Sequence, residues 1–173
     1  MGAAVINNQG TNYTLYYNIL DFFKVIMKNH PSLNFVSKGD MFSIDTNEFP
    51  AYPLGNINIT KADFLEKNII YTVQLTIADK VKDKNNESIG TANNQTIPFD
   101  GTDDTVDIHA NTLSIMNDLL CFTRTGVQAF EFSTEPSAQP FKDNFDNGLA
   151  GWVATFNLRV FNSCDTCLFE LYP

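Results

Sequence analysis

Between Asn12 and Met27 the apolar residues Tyr13, Tyr16, Ile19, Leu20, Phe23, Ile26 and Met27 recur at intervals of three and four, the spacing of one helix face. Thr11 or Asn12 can cap its start. Pro31 disfavours helical geometry at His30, and Lys24, Lys28 and His30 suit a negative carboxyl end, so the pattern predicts a helix from about 12 to 29. Two short apolar runs, Leu33 to Val36 and Met41 to Ile44, flank Ser37-Lys38-Gly39-Asp40, and the Gly-Asp pair predicts an antiparallel hairpin. Pro50 and Pro53 exclude a central strand before Leu54, and Ile57 and Ile59 then alternate with asparagines, which predicts an edge strand or extended segment.

From Ile69 to Val81 the alternation is plain. Ile69, Tyr71, Val73, Leu75 and Ile77 fall on one face and Thr72, Gln74 and Thr76 on the other, which predicts a strand. Residues 80–104 are polar and read as a long loop anchored by Ile89, Ile97 and Phe99. A second helix follows, with Asp103, Asp104 and Asp107 at its positive amino end, Val106, His109, Leu113, Met116, Leu120 and Thr123 at helical spacing, and Gly126 as its stop. Val127 to Ser133 reads as a strand and Glu135 to Gly148 as a polar connection. Gly151 to Phe161 alternates through Trp152, Ala154, Phe156, Leu158 and Val160 as a closing strand.

This order predicts an α+β fold: an antiparallel β-sheet with two helices packed on one face and long protruding loops. One domain over residues 1–173 is expected, since 173 residues with 43% apolar content suit a single core. Arms are expected at about 83–104 and 135–148.

Charge narrows the function. A formal net charge of −9, from 11 basic and 20 acidic residues, disfavours a sequence-independent grip on nucleic acid, which needs clustered Lys and Arg. An acidic wall could still let DNA slide past without adhering. The first ten residues lack the basic flank and apolar core of a signal peptide, and no apolar run approaches a membrane span, so a cytosolic origin without a membrane partner is expected. Ile6 stands where a myristoylation signal wants Ser or Thr, and the Asn-x-Ser/Thr triplets at Asn12, Asn58, Asn86 and Asn94 would matter only in a secretory pathway.

Candidate chemistry is sparse. Cys164 and Cys167 have Cys-x-x-Cys spacing, but a tetrahedral zinc site needs four ligands and no second pair accompanies them; Cys121 lies in an apolar helical pattern. His30 and His109, the only histidines, have no recognisable triad partners. Asp100, Asp103, Asp104 and Asp107 could hold a divalent cation, yet they lack the calcium-loop pattern and are explained by the helix dipole. Phosphate-loop, dinucleotide and esterase signatures do not occur. The expectation is no enzyme, no cofactor and no metal.

Several features together resemble the tail-terminator and head-to-tail joining (neck) proteins of tailed bacteriophages. They are the helix from Asn12 to Lys28, the following hairpin, the stretch Tyr52-Pro53-Leu54-Gly55-Asn56-Ile57 leading to the strand at Ile69 to Ala78, the helix Thr105 to Phe122, and the closing strand from Gly151 to Leu158. The Asn- and Phe-rich style is similar to that of a crAss-like phage of low-GC gut bacteria. The resemblance implies a virion protein made in the bacterial cytoplasm and assembled as a homo-oligomeric ring of about six or twelve copies. The ring would join portal or connector to tail proteins around the DNA channel, without catalysis and without specific DNA binding. On that reading Ile89, Phe99, Phe141 and Phe145 in the arms are candidate interaction residues, because aromatics dominate interface energetics. They serve equally as anchors of the loops to their own core. Two rivals stand beside it: a carbohydrate- or protein-binding accessory module, which requires Trp152 to be exposed, and a metal-dependent enzyme built on Asp103, Asp104 and Asp107.

Overall fold

The computed structural model describes residues 12–40, 51–82, 104–126, 130–142 and 148–161. Among them are two helices, α1 (Asn12–Lys28) and α2 (Thr105–Gly126), and six strands: β1 (Phe35–Lys38), β2 (Leu54–Phe64), β3 (Asn68–Lys80), β4 (Phe130–Phe132), β5 (Ser137–Lys142) and β6 (Leu149–Phe161). The protein is an α+β fold. The strands form one sheet in the order β1-β2-β3-β6-β4, with β5 also paired to β6, and every pairing except β1 with β2 is antiparallel.

β3 and β6 are the spine. They pair over their full lengths, from Asn68 opposite Phe161 to Lys80 opposite Leu149, and the register sets Ile69, Tyr71, Val73, Leu75 and Ile77 against Val160, Leu158, Phe156, Ala154 and Trp152. Both runs therefore share one face, and both helices cover it. Phe23 of α1 meets the Phe156 ring at 5.9 Å, and Ile115, Met116 and Leu119 of α2 join the same buried cluster. The opposite face carries Thr72, Gln74, Thr155 and Asn157, with the Thr72 hydroxyl donating to Asn157 Oδ1 at 2.9 Å. Gly151 on β6 is required by close approach: a Cβ there would lie 2.0 Å from the carbonyl oxygen of Ile77.

α1 forms and ends as its pattern predicts. Ile19, Leu20, Phe23, Ile26 and Met27 are buried, and after Lys28 the chain turns with His30 N–H donating to Met27 O and Leu33 N–H to His30 O. Of the expected hairpin the described residues include the first run only. β1 pairs in parallel with β2, Phe35 opposite Leu54 and Lys38 opposite Ile57, while Met41 to Ile44 lie outside the described residues. The backbone N–H of Asn34 donates to Pro53 O and its side-chain amide to Tyr52 O, which fixes the starts of the two strands together. Among the described residues β2 is consequently an interior strand, with β1 on one side and β3 on the other. Gly55 lets α1 settle on β2, since a Cβ there would come within 2.9 Å of Met27 Sδ.

Two more expectations change. On α2 the buried positions are Ile108, Thr112, Ile115, Met116, Leu119 and Thr123, whereas Val106 and Leu113 are exposed. The buried threonines fit because each hydroxyl donates to the carbonyl four residues back, Thr112 to Ile108 O and Thr123 to Leu119 O. Residues 137–142, expected within a polar connection, form β5. This strand is at the sheet edge, the place that tolerates Pro140. The arm at 83–103 lies outside the described residues, but its two ends meet: Lys82 N–H donates to Asp104 Oδ1 at 2.8 Å, and Asp104 O accepts the Ile108 N–H that opens α2.

Candidate interaction surface

Of the four interaction candidates, Ile89, Phe99 and Phe145 lie outside the described residues. Phe141 lies on β5, half-buried, and its backbone is engaged: His109 Nε2 stands 3.1 Å from its carbonyl oxygen, so the ring nitrogen donates there. The same helical turn receives the Trp152 indole, whose Nε1–H donates to His109 O at 2.8 Å while the two rings meet edge-on at 5.9 Å. Trp152 is half-buried on the helix-covered face, where its alternation with Ala154 and Phe156 puts it. The exposed indole that a sugar- or protein-binding module would use is not present at this position.

The candidate titratable groups are dispersed. His30 accepts from Ser32 N–H through Nδ1 and approaches Asp118 through Nε2 at 3.7 Å, tying the end of α1 to α2. Cys121 is exposed with its Sγ 3.8 Å from Asn117 Oδ1, and Cys164 and Cys167 lie outside the described residues. Asp104 braces the start of α2, Asp107 is exposed, and Asp100 and Asp103 are not described. Among the described residues no three His, Cys, Asp or Glu side chains gather closely enough to hold a metal ion, and no helix is long and apolar enough to cross a membrane. Burial, with the nearby Asp104 charge, pushes the Asp79 carboxyl above the ordinary aspartate value, against Lys80 N–H and Lys82, which pull it down. Burial and the Asp79 charge likewise raise the Tyr52 phenol.

The surface feature that stands out is apolar. Nine large apolar side chains among the described residues are exposed, and six of them are Tyr16, Tyr17, Phe64, Leu65, Phe122 and Phe161. Phe64, Leu65 and Phe161 lie at one end of the sheet, where the register turns Phe64 to the helix-covered face with Ile69 and Phe161 to the opposite face with Asn68. Phe64 and Leu65 form the β2–β3 turn, closed by Leu65 N–H donating to Asn68 O, and Phe161 is the β6 residue opposite Asn68. Tyr16 stands over Tyr71, three residues along from Asn68, at 6.4 Å, and packs edge-on with Tyr17 at 5.8 Å. Phe122, at the end of α2, stacks on Phe22, which also meets Phe130, the partner of Val160.

Beside this end is a shallow groove of about 290 Å³ between α1 and the β1–β2 edge, lined by Tyr16, Tyr17, Leu20, Lys38, Asn58 and Ile59. It is open and small for a substrate cleft. Pattern reading passed over Phe64 and Phe161, although a signal was present. Apolar residues on β2 fall at Ile57 and Ile59, then at Ala62 and Phe64, a parity change that marks the bulge between Ile59 and Lys61. Phe161 has the opposite parity from the buried residues of β6. No protein-family model matches the chain, and comparison with curated proteins gives no match.

Proposed function

We propose that this chain is a structural, non-catalytic virion subunit that assembles with copies of itself into a ring at the head–tail junction of a tailed bacteriophage, joining portal or connector to tail around the DNA channel. The observation that carries the reading is the order and layering of the fold. An opening helix, a strand led in by Tyr52-Pro53, a long central strand, a second helix and a long closing strand make one sheet with both helices on one face. That is the layout the resemblance to neck proteins implies. The acidic balance, −9 over the chain, suits a channel that DNA traverses without adhering.

The test has two parts. The mass of the purified full chain is measured by light scattering, and its position in particles by labelled imaging of virions. A closed ring of about six or twelve copies at the junction is the expected result. A protein absent from virions, whatever its mass in solution, overturns the reading.

A further inference from the structure

We propose that residues 162–173 of one copy dock, as an extended strand, in the groove between α1 and the outer side of β2 on the next copy. The inference rests on the self-assembling reading above and supplies it with a joint between two different surfaces. Such a head-to-tail contact propagates around a ring, whereas a surface that meets itself stops at a dimer.

The groove is built where β1 runs out. β1 ends opposite Ile57, with Gly39 N–H donating to Ile57 O, and from Asn58 onward β2 has no strand on that side among the described residues. Tyr16, Tyr17 and Leu20 of α1 wall the place where the next strand would lie, Ile59 lines its sheet side, and Lys38 stands at its end, around about 290 Å³. Tyr17 is 54% exposed and Tyr16 40%, so the wall offers apolar surface to an occupant. A strand added here continues the line of β1, pairs with the β2 backbone and sends alternate side chains into the groove.

Charge and spacing select the occupant. The described residues hold ten acidic and ten basic side chains, so the whole net charge of −9 lies in the segments outside them. Lys38 is exposed and makes no ion pair among the described residues. Residues 162–173 carry Asp165 and Glu170 and no Lys or Arg. In a strand Leu168, Glu170 and Tyr172 share one face, which gives two apolar side chains for the wall of α1 and, between them, a carboxylate for Lys38. Residues 1–11 have no acidic side chain to offer Lys38. A nucleic acid would meet a single lysine in the groove, too little positive charge to hold a phosphate chain.

The experiment is sedimentation velocity on the full chain over a wide concentration range, for the native sequence, for Lys38→Glu, for Glu170→Lys and for an equimolar mixture of the two variants. Each variant alone sets like charges together at every joint and is expected to weaken self-association about tenfold or more. In the mixture each unaltered groove can take an unaltered segment and each reversed groove a reversed segment, so association is expected to return close to the native level. Lys24→Glu, at an exposed position of α1 away from the groove, is the control and is expected to leave association intact. Circular dichroism and the melting temperature establish that each variant folds. If Lys38→Glu does not, Tyr172→Ser, which leaves the groove untouched, replaces it and is expected to weaken association about thirtyfold. A native chain that stays monomeric, folded variants that associate as tightly as the native chain, a mixture no better than its components, or an equal loss in the Lys24 control would each overturn the inference. A mixture that fails to recover is also what docking of the segment into its own chain's groove predicts. Failure of the ring reading looks different: groove-dependent oligomers that are missing from the head–tail junction.

Discussion

α1 and α2 cover the same face of the same sheet, yet they hold on to it by different means. α1 presents an unbroken apolar stripe in which Ile19, Phe23 and Met27 are almost wholly buried and Phe23 lies on Phe156. α2 buries Thr112 and Thr123 among its apolar contacts and is fastened at its start by polar bonds, from Trp152 to His109 O and from His109 to Phe141 O. One helix is held by shape and apolar area; the other adds a directional lock that fixes its rotation and draws β5 and β6 to it. Removing atoms from the first should be costly, and removing single polar bonds from the second should be cheaper.

The largest expected effect is therefore Phe23→Ala. The side chain is fully buried against Phe22 and Phe156, and truncation should lower the free energy of unfolding by about 3–5 kcal/mol. Urea denaturation measures this, with an unchanged slope showing that the unfolded state is not involved. A loss below about 1 kcal/mol would mean that α1 is not held by its stripe.

Next in size is Trp152→Phe, which keeps an aromatic ring but deletes the donor to His109 O. The expected loss is about 1–2 kcal/mol. The comparison sharpens with His109→Ala, which keeps the carbonyl that Trp152 uses and deletes the separate bond to Phe141 O: in the Trp152→Phe background a further loss is expected, differing from the single variant's only by the contact between the two rings.

The contrast between the helices also explains what could be read from the sequence. α1, β3 and β6 are long and periodic, and most of the expected core positions are buried, Tyr16 on α1 and Trp152 on β6 only in part. The α2 stripe differs from the expected one because Thr112 looks polar in a pattern of hydrophobicity, while it satisfies its hydroxyl locally and behaves as a buried side chain, as the expected Thr123 also does. Val106 and Leu113 look apolar and face water. The parallel partner of β1 was not legible, since Pro53 suggests an edge and the contact that overrides it, Asn34 to Pro53 O, joins residues far apart in sequence. β5 was hidden by Pro140, which an edge strand can accept. Which exposed apolar residues share a face or an end of the sheet depends on the register of β2, β3 and β6, and no pattern along the chain supplies that.

Thr112→Val tests the reading of α2 directly. The Thr112 hydroxyl donates to Ile108 O at 2.6 Å, and that carbonyl remains within its helix when the hydroxyl is removed. The expected change is less than about 1 kcal/mol in either direction, against a larger loss for Thr112→Ala, which leaves a void. A loss near the Phe23→Ala value would show instead that the hydroxyl itself holds α2 in place.

The smallest effect concerns the junction that leads into α2, where Asp79 lies close to Asp104 and Lys82. Burial is the main cause of its raised carboxyl pKa, the Asp104 charge adds to it, and Lys80 N–H and Lys82 oppose it. The folded state therefore holds the Asp79 proton to higher pH than the unfolded chain, whose aspartates titrate near pH 4. In the window from that value up to the raised one, the native state binds more protons than the unfolded state, so stability from this group falls as pH rises, and above the window the whole penalty is present. Asp79→Asn keeps an oxygen to accept the Lys80 N–H, a bond of 2.7 Å in the native protein, and removes the charge. At pH 7 the variant should be the more stable by under about 1 kcal/mol, a modest figure because the site is only partly buried. Thermal melts of the two proteins should converge as pH drops below 4 and separate above it. A variant less stable at neutral pH would mean that the attraction of Lys82 for the carboxylate outweighs its burial and the repulsion from Asp104.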